Sequence, residues 1–207
     1  MMYKKNKYLI DFLFAFVFLS FFSPFFILIS IFLYCSNNGK IFFIQERPGL
    51  NEKIFKIIKF KTMNEKKDNQ GNLLPDAYRL TKIGKLIRKL SLDEIPQLIN
   101  VIKGEMSLIG PRPLLKEYLL YYTKIEKKRH IVKPGITGLA QVNGRNSLGW
   151  EERLELDIQY VEKISFFLDC KIFLKTIKNI IFRKDIVVIP SEKLKPLSYY
   201  REKNIII

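Results

Sequence analysis

From Phe12 to Cys35 the chain carries no charged residue, and Pro24, directly after Ser23, interrupts the run near its middle. About 24 residues of helix reach ~36 Å, enough for a hydrocarbon core of ~30 Å. A proline inside a helix removes one backbone donor and clashes with the carbonyl one turn earlier, here that of Ser20, at a cost of ~3 kcal/mol. In lipid the freed carbonyl finds no water. The hydroxyls of Ser20 and Ser23 can satisfy it locally. The Ser23-Pro24 step therefore predicts a bend between two legs of ~18 Å, each too short to cross alone.

Charge flanks the run on both sides. Lys4, Lys5 and Lys7 precede it; Lys40, Arg47, Lys53, Lys56, Lys59 and Lys61 follow it. Basic residues mark the cytoplasmic side. A spanning helix would place one cluster outside, whereas a helix over 8–35 that enters, bends and returns keeps both inside. The expectation is a re-entrant segment that enters and leaves by the cytoplasmic face, with a single span as the alternative. No small-residue cleavage site follows, which argues against a cleaved signal peptide.

The formal net charge is +16, which favours anionic partners: phosphorylated substrates, nucleic acid or anionic inner-leaflet lipids. The cysteines, Cys35 and Cys170, and the single histidine, His130, have no metal-ligand spacing. They leave a Ser-His-Asp mechanism only one candidate base. Neither common glycine-rich nucleotide loop is present.

Beyond the apolar run the pattern predicts an α+β, mostly helical domain. Two β-prone runs around Pro48-Gly49 read as a small hairpin. Helices are expected from amphipathic periodicity over 78–90, 94–104, 114–130, 150–164 and 169–185. Those at 78–90 and 169–185 carry basic and apolar faces suited to a membrane surface; for 78–90 a solvated charged face over a protein core is the equal alternative. The expected division is a membrane segment over 1–36, a cytoplasmic domain with interfacial helices over 37–185, and a tail of unknown role over 186–207.

Two loops and one helix start draw attention. In "SLDEIPQL" Ser91 and Glu94 have capping-box spacing, but Pro96 would then break a helical bond, so the cap shifts to Asp93. Asp93 is either an ordinary N-cap or a carboxylate held for chemistry at a terminus that stabilises anions. Arg112 stands between prolines in "GPRP", and Arg145 follows a glycine in "VNGR". With Lys59 and Arg88 they are either solvated surface cations or parts of a phosphate site.

The segments "FFSPFF", "FIQERPGL", "FKIIKFKTM", "LSLDEIPQLINVIKGEMSLIGPRPLL" and "KPGITGLAQVNGRN" occur in the order found in bacterial sugar transferases, the monotopic phosphoglycosyl transferases. The resemblance covers about residues 7–185 and is nearest to the small bacillosamine-phosphate transferase type of N-linked protein glycosylation. It implies transfer of a phosphosugar from a UDP-sugar to polyprenol phosphate, giving polyprenol diphosphate-sugar and UMP, with Mg²⁺ required. It implies Asp93 as nucleophile on the β-phosphorus, Glu94 as metal holder with Asp93 beside it, and Lys59, Arg88, Arg112 and Arg145 near the phosphates. Asp157 matches an acidic position without an assigned role. Later glycosyltransferases of such a pathway are implied partners.

The residues agree with that chemistry. A carboxylate is ionised at neutral pH and needs no base, and the lipid phosphate is also an anion. Other readings are a basic membrane-anchored nucleic-acid binder and a non-catalytic scaffold. Against the first, the aromatics lie in the apolar run and amphipathic stripes rather than in basic loops.

Overall fold

The computed structural model describes residues 2–144, 147–182 and 195–205. It opens with α1 (Met2–Phe21) and α2 (Ser23–Ser36), bent by 68° at Phe22. Pro24 falls in the first turn of α2, where a missing N–H has no intrahelical partner to lose. The Ser23 hydroxyl donates to the Ser20 carbonyl at 2.9 Å, so the carbonyl nearest the break is satisfied without water. Among the described residues no single helix is long and apolar enough to cross a membrane; α1 and α2 together are.

One narrow stripe of this pair meets the rest of the protein. Ala15 packs with Phe55, Ile57, Leu98, Val101 and Met106, and Ile29 and Leu33 pack with Phe60 and Ile87. Leu13, Phe16, Val17, Phe21, Ile27 and Ile31 remain exposed. Lys7 is not a solvated flanking charge: it is 2 % exposed. Its Nζ lies 2.6 Å from Asp169 Oδ2 and 3.4 Å from Asp11 Oδ2.

The hairpin forms where expected. β1 (Phe42–Pro48) pairs antiparallel with β2 (Ile54–Phe60), with Phe42 opposite Phe60 and Pro48 opposite Ile54. The 78–90 segment is two helices, α3 (Asp76–Arg79) and α4 (Lys82–Lys89). Leu80 is extended and bridges to Met63, and Thr81 Oγ1 accepts from Gly84 N–H to start α4. Gly84 is required there, because a Cβ would lie 2.0 Å from the Thr62 carbonyl.

The helix expected over 94–104 begins later. Leu92–Glu94 is a 3₁₀ turn and α5 spans Gln97–Ile102, with Pro96 at its N-cap. Pro96 has no N–H to give the Leu92 carbonyl, so the N–H of Ile95 bonds it at 3.2 Å in 3₁₀ fashion. Ser91 is left-handed (φ 54) and caps nothing. Asp93 is therefore not an N-cap.

The two Gly/Pro-rich loops contain strands the sequence analysis lacks. β3 (Ser107–Ile109) and β4 (Gly135–Thr137) pair in parallel. The pairing needs Gly135, where a Cβ would come within 2.1 Å of Gly110 N. The expected helix over 114–130 is instead two 3₁₀ stretches, Lys116–Leu120 and Glu126–Ile131. The break has a cause in the sequence. Glu126 N–H donates to Thr123 Oγ1, and Thr123 N–H donates to the Glu126 carboxylate. This reciprocal capping box starts a new turn in the middle of the run.

α6 (Leu139–Asn143) and α7 (Trp150–Lys163) follow. α8 (Phe166–Ile181) starts earlier than periodicity suggests because Ser165 caps it through Leu168 N–H. α8 leaves Phe167, Leu174, Ile181 and the following Phe182 exposed. Part of the expected tail is structured. α9 (Leu197–Ile205) buries Leu197 completely among Leu114, Tyr118, Tyr122, Trp150 and Leu154.

Candidate active site

A cleft of about 1200 Å³ opens between β2, the loop after it, α4, the 92–94 turn and the α6–α7 pair. Asp93, Glu94, Lys59, Arg88, Arg112 and Asp157 all line it. Arg145 lies outside the described residues. Arg47, Arg79 and Arg153 also face the cleft, so its electrostatics are strongly positive around two adjacent carboxylates.

Glu94 is the most tightly held of these groups. Lys59 Nζ and Arg112 Nη2 each lie 2.7 Å from its Oε1. Lys59 comes from β2 and Arg112 from the loop after β3, so one oxygen ties the hairpin to the GPRP loop. Burial raises the Glu94 pKa, but the opposing charges of Arg112 and Lys59 and their hydrogen bonds outweigh it, holding the group well below the usual carboxylate range.

Asp93 differs from its neighbour. It makes no hydrogen bond among the described residues. Burial and the charge of Glu94 push its carboxyl up to about 6, against the pull of Lys59, Arg88 and Arg112. It remains mostly ionised at neutral pH while lacking a hydrogen bond that would hold its lone pairs. Arg88 is fixed nearby: its Nε donates to Thr62 Oγ1 at 2.8 Å.

Asp157 is 1 % exposed and pairs with Arg129, whose Nε and Nη2 reach its Oδ2 at 3.1 and 2.6 Å. The same Nη2 donates to the Arg112 carbonyl at 2.7 Å. Arg129 thus braces the backbone that presents Arg112. Sequence reasoning missed Arg129, which stands in the charge run Lys127–Lys128–Arg129 and looks like a solvated face. Arg47, inside "FIQERPGL", was read only as a flanking charge. Burial and the nearby Arg112 lower the Arg47 pKa to about 10.

Among the described residues no three Asp, Glu, His or Cys side chains gather into a metal cluster. Two adjacent carboxylates, one without a hydrogen-bond partner, nevertheless suit Mg²⁺. This ion commonly takes one or two carboxylates and completes its shell with phosphate oxygens and water.

A family model described as bacterial sugar transferase matches residues 2–183. The chain is 57 % identical over 146 residues to the uncharacterized sugar transferase EpsL of Bacillus subtilis (strain 168), covering 70 % of this chain and 72 % of that protein. It is 41 % identical over 184 residues to the exopolysaccharide production protein ExoY of Rhizobium meliloti (strain 1021), covering 81 % of each. It is 36 % identical over 173 residues to the UDP-glucose:undecaprenyl-phosphate glucose-1-phosphate transferase of Xanthomonas campestris pv. campestris. That match takes in 78 % of this chain and 36 % of the longer relative.

Proposed function

The chain belongs to the bacterial sugar transferase family, and from that premise we propose that it moves a phosphosugar from a UDP-sugar to polyprenol phosphate. The observation that carries this is the Asp93–Glu94 pair. One carboxylate is neutralised by Lys59 and Arg112, the other is left without a hydrogen bond, and both face a cationic cleft. The name of the Xanthomonas relative, which states UDP-glucose and undecaprenyl phosphate, supports the substrate classes. The finer likeness to the bacillosamine type rests on sequence motifs alone.

In the proposed reaction an Asp93 carboxylate oxygen attacks the β-phosphorus of the UDP-sugar. The bond from that phosphorus to the bridging oxygen breaks, and UMP leaves with the electron pair. An oxygen of polyprenol phosphate then attacks the aspartyl phosphosugar, forming the diphosphate and regenerating the carboxylate. Splitting the transfer lets one cationic cleft serve two anionic substrates in turn. Arg112, locked to Glu94 and braced by Arg129, is positioned before substrate arrives, so little reorganisation is needed as charge develops. Mg²⁺, held by Glu94 with Asp93 beside it, would offset the charge of the diphosphate.

The bent α1–α2 pair and the exposed apolar face of α8 support a monotopic seat on the cytoplasmic leaflet, where basic residues meet anionic lipids. That seat brings the cleft to the polyprenol head group, and the lipid-linked product would pass to later glycosyltransferases. The test is UMP release from a panel of UDP-sugars with polyprenol phosphate and Mg²⁺. The proposal expects one or more sugars to give UMP and a lipid diphosphate-sugar. UDP as the released nucleotide, or no release with any sugar, contradicts it.

A further inference from the structure

In the lining of the cleft, buried polar atoms are left without partners. Gln141 on α6 is 6 % exposed, and among the described residues neither Oε1 nor Nε2 of its carboxamide has a hydrogen bond. Asp157 on α7 gives Oδ2 to Arg129, while its buried Oδ1 has none. Both residues line the cleft that holds Asp93, and α6 packs on α7. Native proteins leave few such atoms unpaired, since an unmet buried donor or acceptor is destabilising. The local backbone makes room for this arrangement: a Cβ on Gly138 would lie 2.8 Å from Gln141 Oε1.

Resting on the reaction proposed above, we propose that Gln141 and Asp157 form a hydroxyl-binding subsite that takes a vicinal diol of the nucleotide sugar. The inventory of atoms selects the ligand chemistry. Asp157 Oδ1 and Gln141 Oε1 accept, and Gln141 Nε2 donates two hydrogens. The carboxamide alone could pair with N3–H and an adjacent carbonyl of uracil, but that edge has only one donor, so Asp157 Oδ1 would still lack one. Neighbouring hydroxyls, each able to donate and accept, match two acceptors and one amide. The ribose and the transferred pyranose both carry such hydroxyls.

Gln141→Leu removes the amide at nearly constant volume, and Gln141→Met does the same with a more adaptable side chain. Because the amide makes no hydrogen bond among the described residues, the Tm of at least one variant is expected to stay at or above that of wild type. UDP-glucose, UDP-galactose, UMP and 2′-deoxy-UMP are titrated calorimetrically into wild type and variant at Gln141, both carrying Asp93→Asn so that the proposed transfer cannot consume the UDP-sugar. The tighter of the two UDP-sugars is expected to lose about tenfold or more in affinity, the scale of one or two hydrogen bonds. Weakening of UMP but not of 2′-deoxy-UMP assigns the diol to the ribose; unchanged UMP binding assigns it to the pyranose; equal weakening of both nucleotides places the amide on uracil and overturns the diol subsite. UDP-sugar affinity within twofold of wild type overturns the subsite, as does wild type that binds none of these ligands. Wild type that binds a UDP-sugar but releases no UMP to polyprenol phosphate contradicts the reaction and leaves the subsite standing.

Discussion

Asp93 and Glu94 share one 3₁₀ turn, yet Lys59 and Arg112 both bind Glu94 and neither hydrogen-bonds Asp93. The sequence places the two carboxylates together; the fold makes them unlike. Glu94 stays ionised at any ordinary pH and serves as the fixed anion that organises the cations. Asp93 is left with free lone pairs, the requirement for a nucleophile.

The difference predicts a pH profile. Asp93 titrates at about 6, raised first by burial and then by Glu94. The rate of UMP release should therefore fall as pH drops through about 6 and level off above about 7. Stability runs the other way for this group. Its folded pKa exceeds its unfolded value, so the stability it contributes is full at acid pH and is lost as pH rises through about 6. Asp93→Asn should abolish turnover and flatten that part of the dependence of Tm on pH. A rate unchanged down to pH 5 would contradict the assignment.

Lys7 and Asp169 join the start of α1 to α8 through a buried pair at 2.6 Å. Lys7→Met leaves the carboxylates of Asp11 and Asp169 buried without a cation. A cost of about 3–5 kcal/mol follows, read as a large fall in Tm in detergent. Lys116→Met, at the exposed pair with Glu46, should leave Tm within error. A small effect at Lys7 would mean that water reaches the joint.

In the proposed re-entrant seat the bend at Ser23-Pro24 keeps both flanks on one side. Replacing Ser23 by Ala and Pro24 by Leu restores a continuous helix, and α1 and α2 together are long and apolar enough to cross. A cysteine near the N-terminus should be labelled only from the cytoplasmic side in wild type and from the outside in the double variant. External labelling of wild type would contradict the re-entrant reading.

These features were unequally legible in the sequence. The break in the apolar run was readable because its cause is local: a proline, and a serine hydroxyl placed to reach the Ser20 carbonyl. The helix start and motif order singled out Asp93 and Glu94 with different implied roles, but their unequal hydrogen bonding was not legible, because Lys59 and Arg112 reach Glu94 from a distant strand and loop. Apolar periodicity over 114–130 suggested a helix, and the Thr123–Glu126 capping box that divides it passed unnoticed. The β3–β4 pair joins two short loops far apart in sequence, so no window contains its signal. Arg129 was hidden in a charge run; only the fold places it on Asp157 and the Arg112 carbonyl.

The central claim is that Asp93 carries the phosphosugar. It is tested most directly by mixing enzyme with UDP-sugar and Mg²⁺ in the absence of lipid acceptor, then measuring released UMP and the intact protein mass. Covalent catalysis predicts a burst of up to roughly one equivalent of UMP and a gain of one phosphosugar. Peptide mapping should place the label on Asp93, and the Asp93→Asn variant should show neither burst nor label. UMP release that strictly requires polyprenol phosphate, with intersecting initial-rate lines and no labelled protein, would contradict it.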